Sequence, residues 1–504
     1  MFFPKLTAAP QQRRTVDRFL GLDRRAGSAM GSFQNMENLW AGGYPALETR
    51  PARGTAAALK APHGLVCRDA PVWVDGTALY VNGDRTGLVL TDGDKQLVSM
   101  GAYLLIWPDK KYINTQDLTE FGGLENRTVT TGEVTVSLCR SSGEELGSYS
   151  IGEEAPASPG TGSLWMDTAD GEPVLKRYDG SSWLEVEDVC TKAASAGIGR
   201  GFRAGDGVTV AGCETEGLDG LHVLQAVDDD WIVVPVMCRT VGSQTAAVTV
   251  TRSVPDMDFV VEQGNRLWGC KYGIVNGEPV NEIYASRLGD FRNWNSFAGL
   301  STDSYAASRG SDGAFTGAAA CLGGVIFFKE DCLERVYPSA SGAHQIVTVR
   351  CPGVKKGCGG SAALVDGTLF YVGVSGVYAF DGSMPSCVSQ PLGSVRYESA
   401  VAAGWNGQYW LAARDDAGQR HVLVYDTAHG LWHRQDDADI MAFAVCGGTL
   451  YAAVRGGTLL DLTGGSGETE ETVRWMAETG ELGLSAPENM YLTRLELRVQ
   501  PETR

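Results

Sequence analysis

Asp366-Gly367-Thr368-Leu369-Phe370-Tyr371-Val372 and Asn406-Gly407-Gln408-Tyr409-Trp410 are two copies of one phrase. Each sets an Asx-Gly pair, which accepts the left-handed backbone of a tight hairpin, directly before an apolar strand-forming run. The phrase returns as Gly448-Thr449-Leu450-Tyr451, and earlier as Gly324-Val325-Ile326-Phe327-Phe328 and Gly264-Asn265-Arg266-Leu267-Trp268. Further upstream stand Gly101-Ala102-Tyr103-Leu104-Leu105-Ile106-Trp107 and Asp75-Gly76-Thr77-Ala78-Leu79-Tyr80-Val81. From Gly324 the spacings are 43, 40 and 41 residues. A β-rich unit repeating every forty or so residues is the mark of propeller blades. The expected fold is therefore all-β, a β-propeller of about seven blades.

Two irregularities in the period locate the additions. Gly101 and Gly264 are 163 residues apart, which leaves an insertion of roughly 120 beyond one period. A small β-domain is expected at 126–252, between first blades at 61–125 and the remaining blades at 253–463. Within it, Gly162–Thr168 and Leu175–Trp183 read as hairpin strands, the second bent at Asp179-Gly180. Gly264 and Gly324 are 60 apart, and the extra loop of about 20 residues is expected at Ser301–Phe315. Residues 1–60, interrupted by Pro4, Pro10, Pro45 and Pro51, read as an extended arm that wraps a neighbour or braces the propeller. After Gly464-Gly465-Ser466-Gly467, residues 464–504 read as a linker and β-strand region. Tyr491–Val499, which mostly alternates apolar and polar residues, is its longest strand.

Composition narrows the function classes. The 504 residues carry 61 acidic and 42 basic side chains, a formal charge of −19. An acidic surface disfavours gripping nucleic-acid phosphates, though DNA can slide past it without sticking. Glycine, at 65 residues, makes up about 13% of the chain against a usual ~7%, in keeping with many tight turns. The twelve cysteines lack C-x-x-C spacing. They read as small buried hydrophobes of a protein made in a reducing compartment, with pairing between neighbouring strands left open. No apolar run approaches membrane-spanning length and no targeting signal is evident, so synthesis in the cytosol is expected.

Candidate chemistry is sparse. His429 and His433 stand four apart, a zinc spacing on a helix, but they flank Gly430 after a strand and read as a blade turn with Trp432 as packing. Asp228-Asp229-Asp230 and Asp436-Asp437-Ala438-Asp439 do not match a calcium loop and read as solvated turns. Ser308–Thr316 faintly resembles a sialidase Asp-box turn but lacks its closing Trp. Gly197–Phe202 lacks the strand–loop–helix setting of a phosphate loop. Trp73, Trp107, Trp268, Trp294, Trp405, Trp410 and Trp432 read as packing between blades rather than as a ligand face. No catalytic, cofactor-binding or metal residue is assigned, and no cofactor is expected. The residues singled out are structural: Gly367, Gly407 and Gly448 as turns, Trp294 and Trp432 as packing.

Three stretches carry a resemblance. Asn35-Met36-Glu37-Asn38-Leu39-Trp40, continued by Tyr44-Pro45-Ala46-Leu47-Glu48-Thr49-Arg50-Pro51, is similar to the opening of certain phage structural proteins, with Ala52 in place of their Gly. Glu282–Trp294 resembles their "YaSrlGDf.nW" phrase. Trp475 through Glu478-Thr479-Gly480 to Tyr491–Leu495 resembles the start of their C-terminal sandwich. The family is the tailed-phage tail nozzle, or packaged-DNA stabilisation protein. The hairpin around Trp165 and Trp183 is similar to a module of phage tail and fibre proteins. The resemblance implies a non-enzymatic virion protein of the tail, in a homo-oligomeric ring, commonly a hexamer, around a DNA channel. Adaptor, portal and tail fibre or needle proteins would be its partners. An acidic lumen would let the genome slide. The alternative reading is a tail-associated β-propeller that binds host-surface carbohydrate, with the insertion as its recognition module.

Overall fold

Tight glycine turns set the repeating unit of the structure. In the computed structural model, which describes residues 13, 15–169, 171–465, 467–480, 494 and 496, Asp366 and Gly367 have φ of 47° and 82°, and Asn406 and Gly407 have 49° and 69°. Two successive positive φ values make a turn whose twist matches the flanking strands. Each turn joins the first strand of a sheet to its second, as in Ala363–Val365 to Thr368–Gly373 and Tyr397–Trp405 to Gln408–Asp415. Antiparallel meanders of this kind span 62–89, 96–123, 259–308, 317–350, 363–387, 397–434 and 440–461. Each of the first six has four strands in chain order.

The first strands of successive sheets lie against one another. Pro62–Cys67 touches Gln96–Met100, which touches Phe259–Glu262, which touches Gly317–Cys321. The short turn Gly359–Ser361 carries the contact on to Tyr397–Trp405, which meets Ile440–Cys446, and that strand returns to Pro62–Cys67. The circuit is closed, so the sheets circle a common axis as a β-propeller.

Closure uses both ends of the chain. Gly54–Ala58 pairs antiparallel with Thr458–Asp461, adding an outer strand from the N-terminal segment to the last sheet, and Glu468–Thr469 pairs on its other side. Residues 54–58 thus belong to the propeller rather than to the arm. A disulfide joins Cys67 to Cys446, the last residues of the first strands of the first and last sheets. Pairing between neighbouring strands, left open by the sequence, is realised at this one pair; the two sequence-distant residues meet only because the ring closes. The other ten are free thiols.

The arm braces the propeller. Phe19, Leu22, Met36 and Leu39 join one apolar core with Tyr371, Tyr409 and Trp432. Phe33–Glu37 pairs with Met476–Thr479, so the described C-terminal segment clasps the arm. The expected strand Tyr491–Val499 and the rest of the expected sandwich lie outside the described residues, Arg494 and Glu496 excepted.

Two positions differ from the sequence reading. The Asp75-Gly76 phrase joins the second and third strands of its sheet, not the first and second; the equivalent turn is Arg68–Ala70, which has no glycine. The extra chain of the third sheet is 286–304, between its third and fourth strands, because Ser301–Phe315 contains the fourth strand, Tyr305–Ser308. The tryptophans fill the seams: Trp107 and Trp294 lie together between the second and third sheets, Trp268 between the third and fourth, Trp410 between the sixth and seventh. Trp432 is 1% exposed and donates its indole N–H to Val388 O at 2.9 Å, in the preceding sheet.

Residues 126–252 form three sheets. The entering strand Asn126–Val129 pairs with the leaving strand Thr249–Arg252, Asn126 opposite Arg252. Their sheet packs on a five-stranded one through Val208, Val250, Val134 and Ile232. The third sheet, 149–185, docks by Leu164, Met166 and Leu175 against Leu138.

Cys446→Ser is expected to lower stability by about 2–4 kcal/mol, the usual loss for a native disulfide, measured by chemical denaturation with and without reductant. No loss, or no Cys67–Cys446 peptide in non-reducing mass spectrometry, contradicts the pairing. His433 is fully buried, and among the described residues neither of its ring nitrogens is hydrogen-bonded. Burial pushes its pKa from 6.5 down to about 4. The unfolded chain then binds the extra proton between about pH 6.5 and 4, so stability is intact above 6.5 and falls as pH drops through that window. His433→Leu should remove about 3 kcal/mol of the loss between pH 7 and pH 4. An unchanged pH slope in thermal melts would contradict it.

Candidate functional site

The extra chain at 286–304 explains how the inserted domain is held. Asn293, fully buried, donates Nδ2–H to Gly205 O at 2.6 Å and accepts the Gly207 N–H on Oδ1 at 3.1 Å. Arg287 Nη1 also donates to Gly205 O, at 3.1 Å. A side chain at residue 207 would put its Cβ 2.1 Å from Asn295 O, so only glycine permits this approach. Arg266, 4% exposed, fixes the loop itself by donating to the carbonyls of Ser286, Ser301 and Asp303. Trp294 closes it, donating to Phe291 O at 2.9 Å.

Behind this joint lies an ion pair. Arg252 Nη1 meets Asp206 Oδ2 at 2.6 Å, with side chains 5% and 4% exposed. Arg252 also donates to Leu124 O and Gly201 O, tying both ends of the insertion to one guanidinium. A planar group with five donors suits such a junction. The Glu282–Trp294 phrase therefore forms the root of the inserted domain. Its charges and spacing resembled no site chemistry, and the fold alone brings Gly205 to it.

A concave feature elsewhere is the axial cavity, about 800 Å³, to which every sheet or its leading chain contributes. Several charged side chains in and around it are partnered, while Lys356 lines it as well. His63 bonds Asp92 at 2.8 Å and Asp94 at 3.2 Å. Lys95 Nζ meets Asp109 Oδ1 at 2.7 Å, both side chains 1% exposed. Burial raises the Asp109 pKa, but bonds from Lys95 and Thr91 outweigh it and hold the carboxyl below its ordinary value. Lys271 pairs with Asp258 at 2.8 Å. Burial lowers the Lys329 pKa; its Nζ donates to Asn281 Oδ1 and Ser311 O and lies 4.6 Å from the Phe315 ring centroid.

The remaining candidates are separated. His429 bonds Asp426 at 2.8 Å and stacks on Tyr44, while His433 lies in the core. Asp436 pairs with Arg53 and Asp439 with Arg420. Asp230 and Asp229 accept backbone N–H groups of the Gly197–Phe202 turn, which makes two sequence candidates into one structural contact. Arg309, in the Asp-box-like stretch, pairs with the fully buried Glu334. Among the described residues no cluster of His, Cys, Asp and Glu is arranged to hold a metal. Burial pushes the Cys139 and Cys358 thiols up to about 12, far from a reactive thiolate.

Comparison with known proteins adds little. No family model and no curated protein matches the chain. Among solved structures, U3-55K aligns at 8% identity and TM-score 0.31, over 81% of this chain and 97% of its own. PorZ, a surface component of the type-IX secretion system of Porphyromonas gingivalis, aligns at 11% and 0.29, over 80% and 63%. The phage phi92 endosialidase aligns at 10% and 0.26, over 91% and 75%. At such scores these likenesses carry no functional argument; the closed circuit of sheets defines the fold.

Asp206→Ala should cost about 3–5 kcal/mol, because it leaves Arg252 buried without its counter-charge. Limited proteolysis should then release the inserted domain as a fragment. A variant as stable and as resistant as wild type would contradict the joint.

Proposed function

We propose that this protein is a non-enzymatic structural component of a tailed-phage virion, a tail nozzle in the distal head–tail channel. One observation carries the reading. The two best-described family-like phrases occupy the two joints that stiffen the molecule. In the first phrase, Arg50 bonds Glu470 through two nitrogens and Asn38 through Nε, and Tyr44 stacks on His429. These contacts clasp the arm to the last sheets and the C-terminal segment. The second phrase bolts the inserted domain to the third sheet. A wedge held closed at its ends and rigid at its appendage is suited to bearing load in a ring around DNA, and its charge of −19 favours passage over binding.

The test is assembly. Purified full-length protein, viewed by mass photometry and negative-stain microscopy, is expected to form closed rings with a central channel. Peptides of the chain should also appear in purified virions. A protein that stays monomeric and is missing from virions would overturn the reading.

A further inference from the structure

A second cavity, about 250 Å³, lies where the arm crosses the seam between the sixth and seventh sheets. Trp40, from the arm, and Trp405, both half-buried, stand with the buried Trp410 among its walls. Two of the indole N–H groups are already engaged: Trp405 donates to Gly448 O at 2.8 Å, and Trp410 to Gln408 Oε1 at 3.2 Å. What these two rings leave to offer is apolar, electron-rich surface.

The polar side of the cavity is incomplete. Gln435 is fully buried, and among the described residues neither its Nε2 nor its Oε1 has a hydrogen-bond partner. Arg53, 5% exposed, binds Asp436 through Nη1, while among the described residues its Nη2 has no partner. Buried polar atoms left unpaired carry a desolvation penalty, and native proteins satisfy most of them. The free capacity here is a primary amide, which both donates and accepts, beside one guanidinium donor.

Charge restricts what can complete it. Arg50, the other cation lining the cavity, is paired with Glu470, and Arg53 with Asp436. Net charge at the site is cancelled, so an anion such as phosphate gains no unpaired cation. The fitting ligand is neutral, carries adjacent groups that both donate and accept, and has a flat C–H face for the indoles. A cavity of this size, below that of drug-sized sites, holds about one ring.

We propose that this cavity binds a neutral hexopyranose, with Gln435 and Arg53 Nη2 hydrogen-bonding neighbouring hydroxyls and the tryptophans packing on the sugar face. The site is distinct from the inserted domain, and it stands or falls independently of the virion reading.

Saturation-transfer NMR on the full-length protein tests it, using glucose, galactose, mannose and N-acetylglucosamine as probes, with glucuronic acid as the charged control. At least one neutral sugar should show saturated ring protons and perturb tryptophan emission. Gln435→Met should weaken that response about tenfold, the size expected for one lost hydrogen bond. Its Tm should be unchanged or raised, because the amide has no partner to lose. Trp405→Ala, at the half-buried mouth, should weaken the response as well and serves if Gln435→Met folds poorly. The proposal is overturned by silence across the neutral panel, by preference for glucuronic acid, or by a response that survives both substitutions.

Discussion

Ring closure is the constraint on which this molecule depends. A stack of twisted sheets that did not return on itself would leave its first and last sheets with exposed faces and unpaired edges. Here the strand Gly54–Ala58 crosses from the N-terminal segment to complete the last sheet, and the Cys67–Cys446 bond ties the inner strands of the first and last sheets. The disulfide joins residues 379 positions apart in sequence. Closing loops of that length costs more chain entropy than forming a local meander.

Everything outside the ring is fastened to it by a small number of buried polar contacts. The inserted domain hangs from Asn293, Arg287 and Arg252, and the arm from Arg50, Arg53 and the apolar residues Phe19, Leu22 and Met36. Guanidinium groups recur because each reaches several carbonyl or carboxylate oxygens at once. The same economy of contacts produces the tryptophan-walled cavity: the arm supplies Trp40 and Arg53 to a seam that the blades alone would leave open.

Legibility followed the range of the interaction. The turns at Gly367, Gly407 and Gly448 were readable because φ preference is a property of one or two residues, and all three have positive φ. The all-β propeller was readable because the period repeats. Trp294 and Trp432 were readable as packing because large rings fill the seams between twisted sheets. The phase of the first sheet was hidden because its equivalent turn, Arg68–Ala70, uses no glycine while the next turn does. The extra loop was placed too late because composition marked a Ser-, Asp- and Gly-rich stretch that contains a strand. Neither Gln435 nor Arg53 gave any signal, since an unpartnered polar atom is defined by its surroundings.

Sequence alone determined the local vocabulary: where hairpins turn, which runs become strands, and that the units repeat. Those features arise from backbone sterics and side-chain shape over a few residues. Tertiary structure alone decided that residues 54–58 complete the last sheet, that Cys67 meets Cys446, that Gly205 reaches Asn293, and that three tryptophans enclose a polar corner. Each of those joins residues tens to hundreds of positions apart, and only the closed ring brings them within bonding distance.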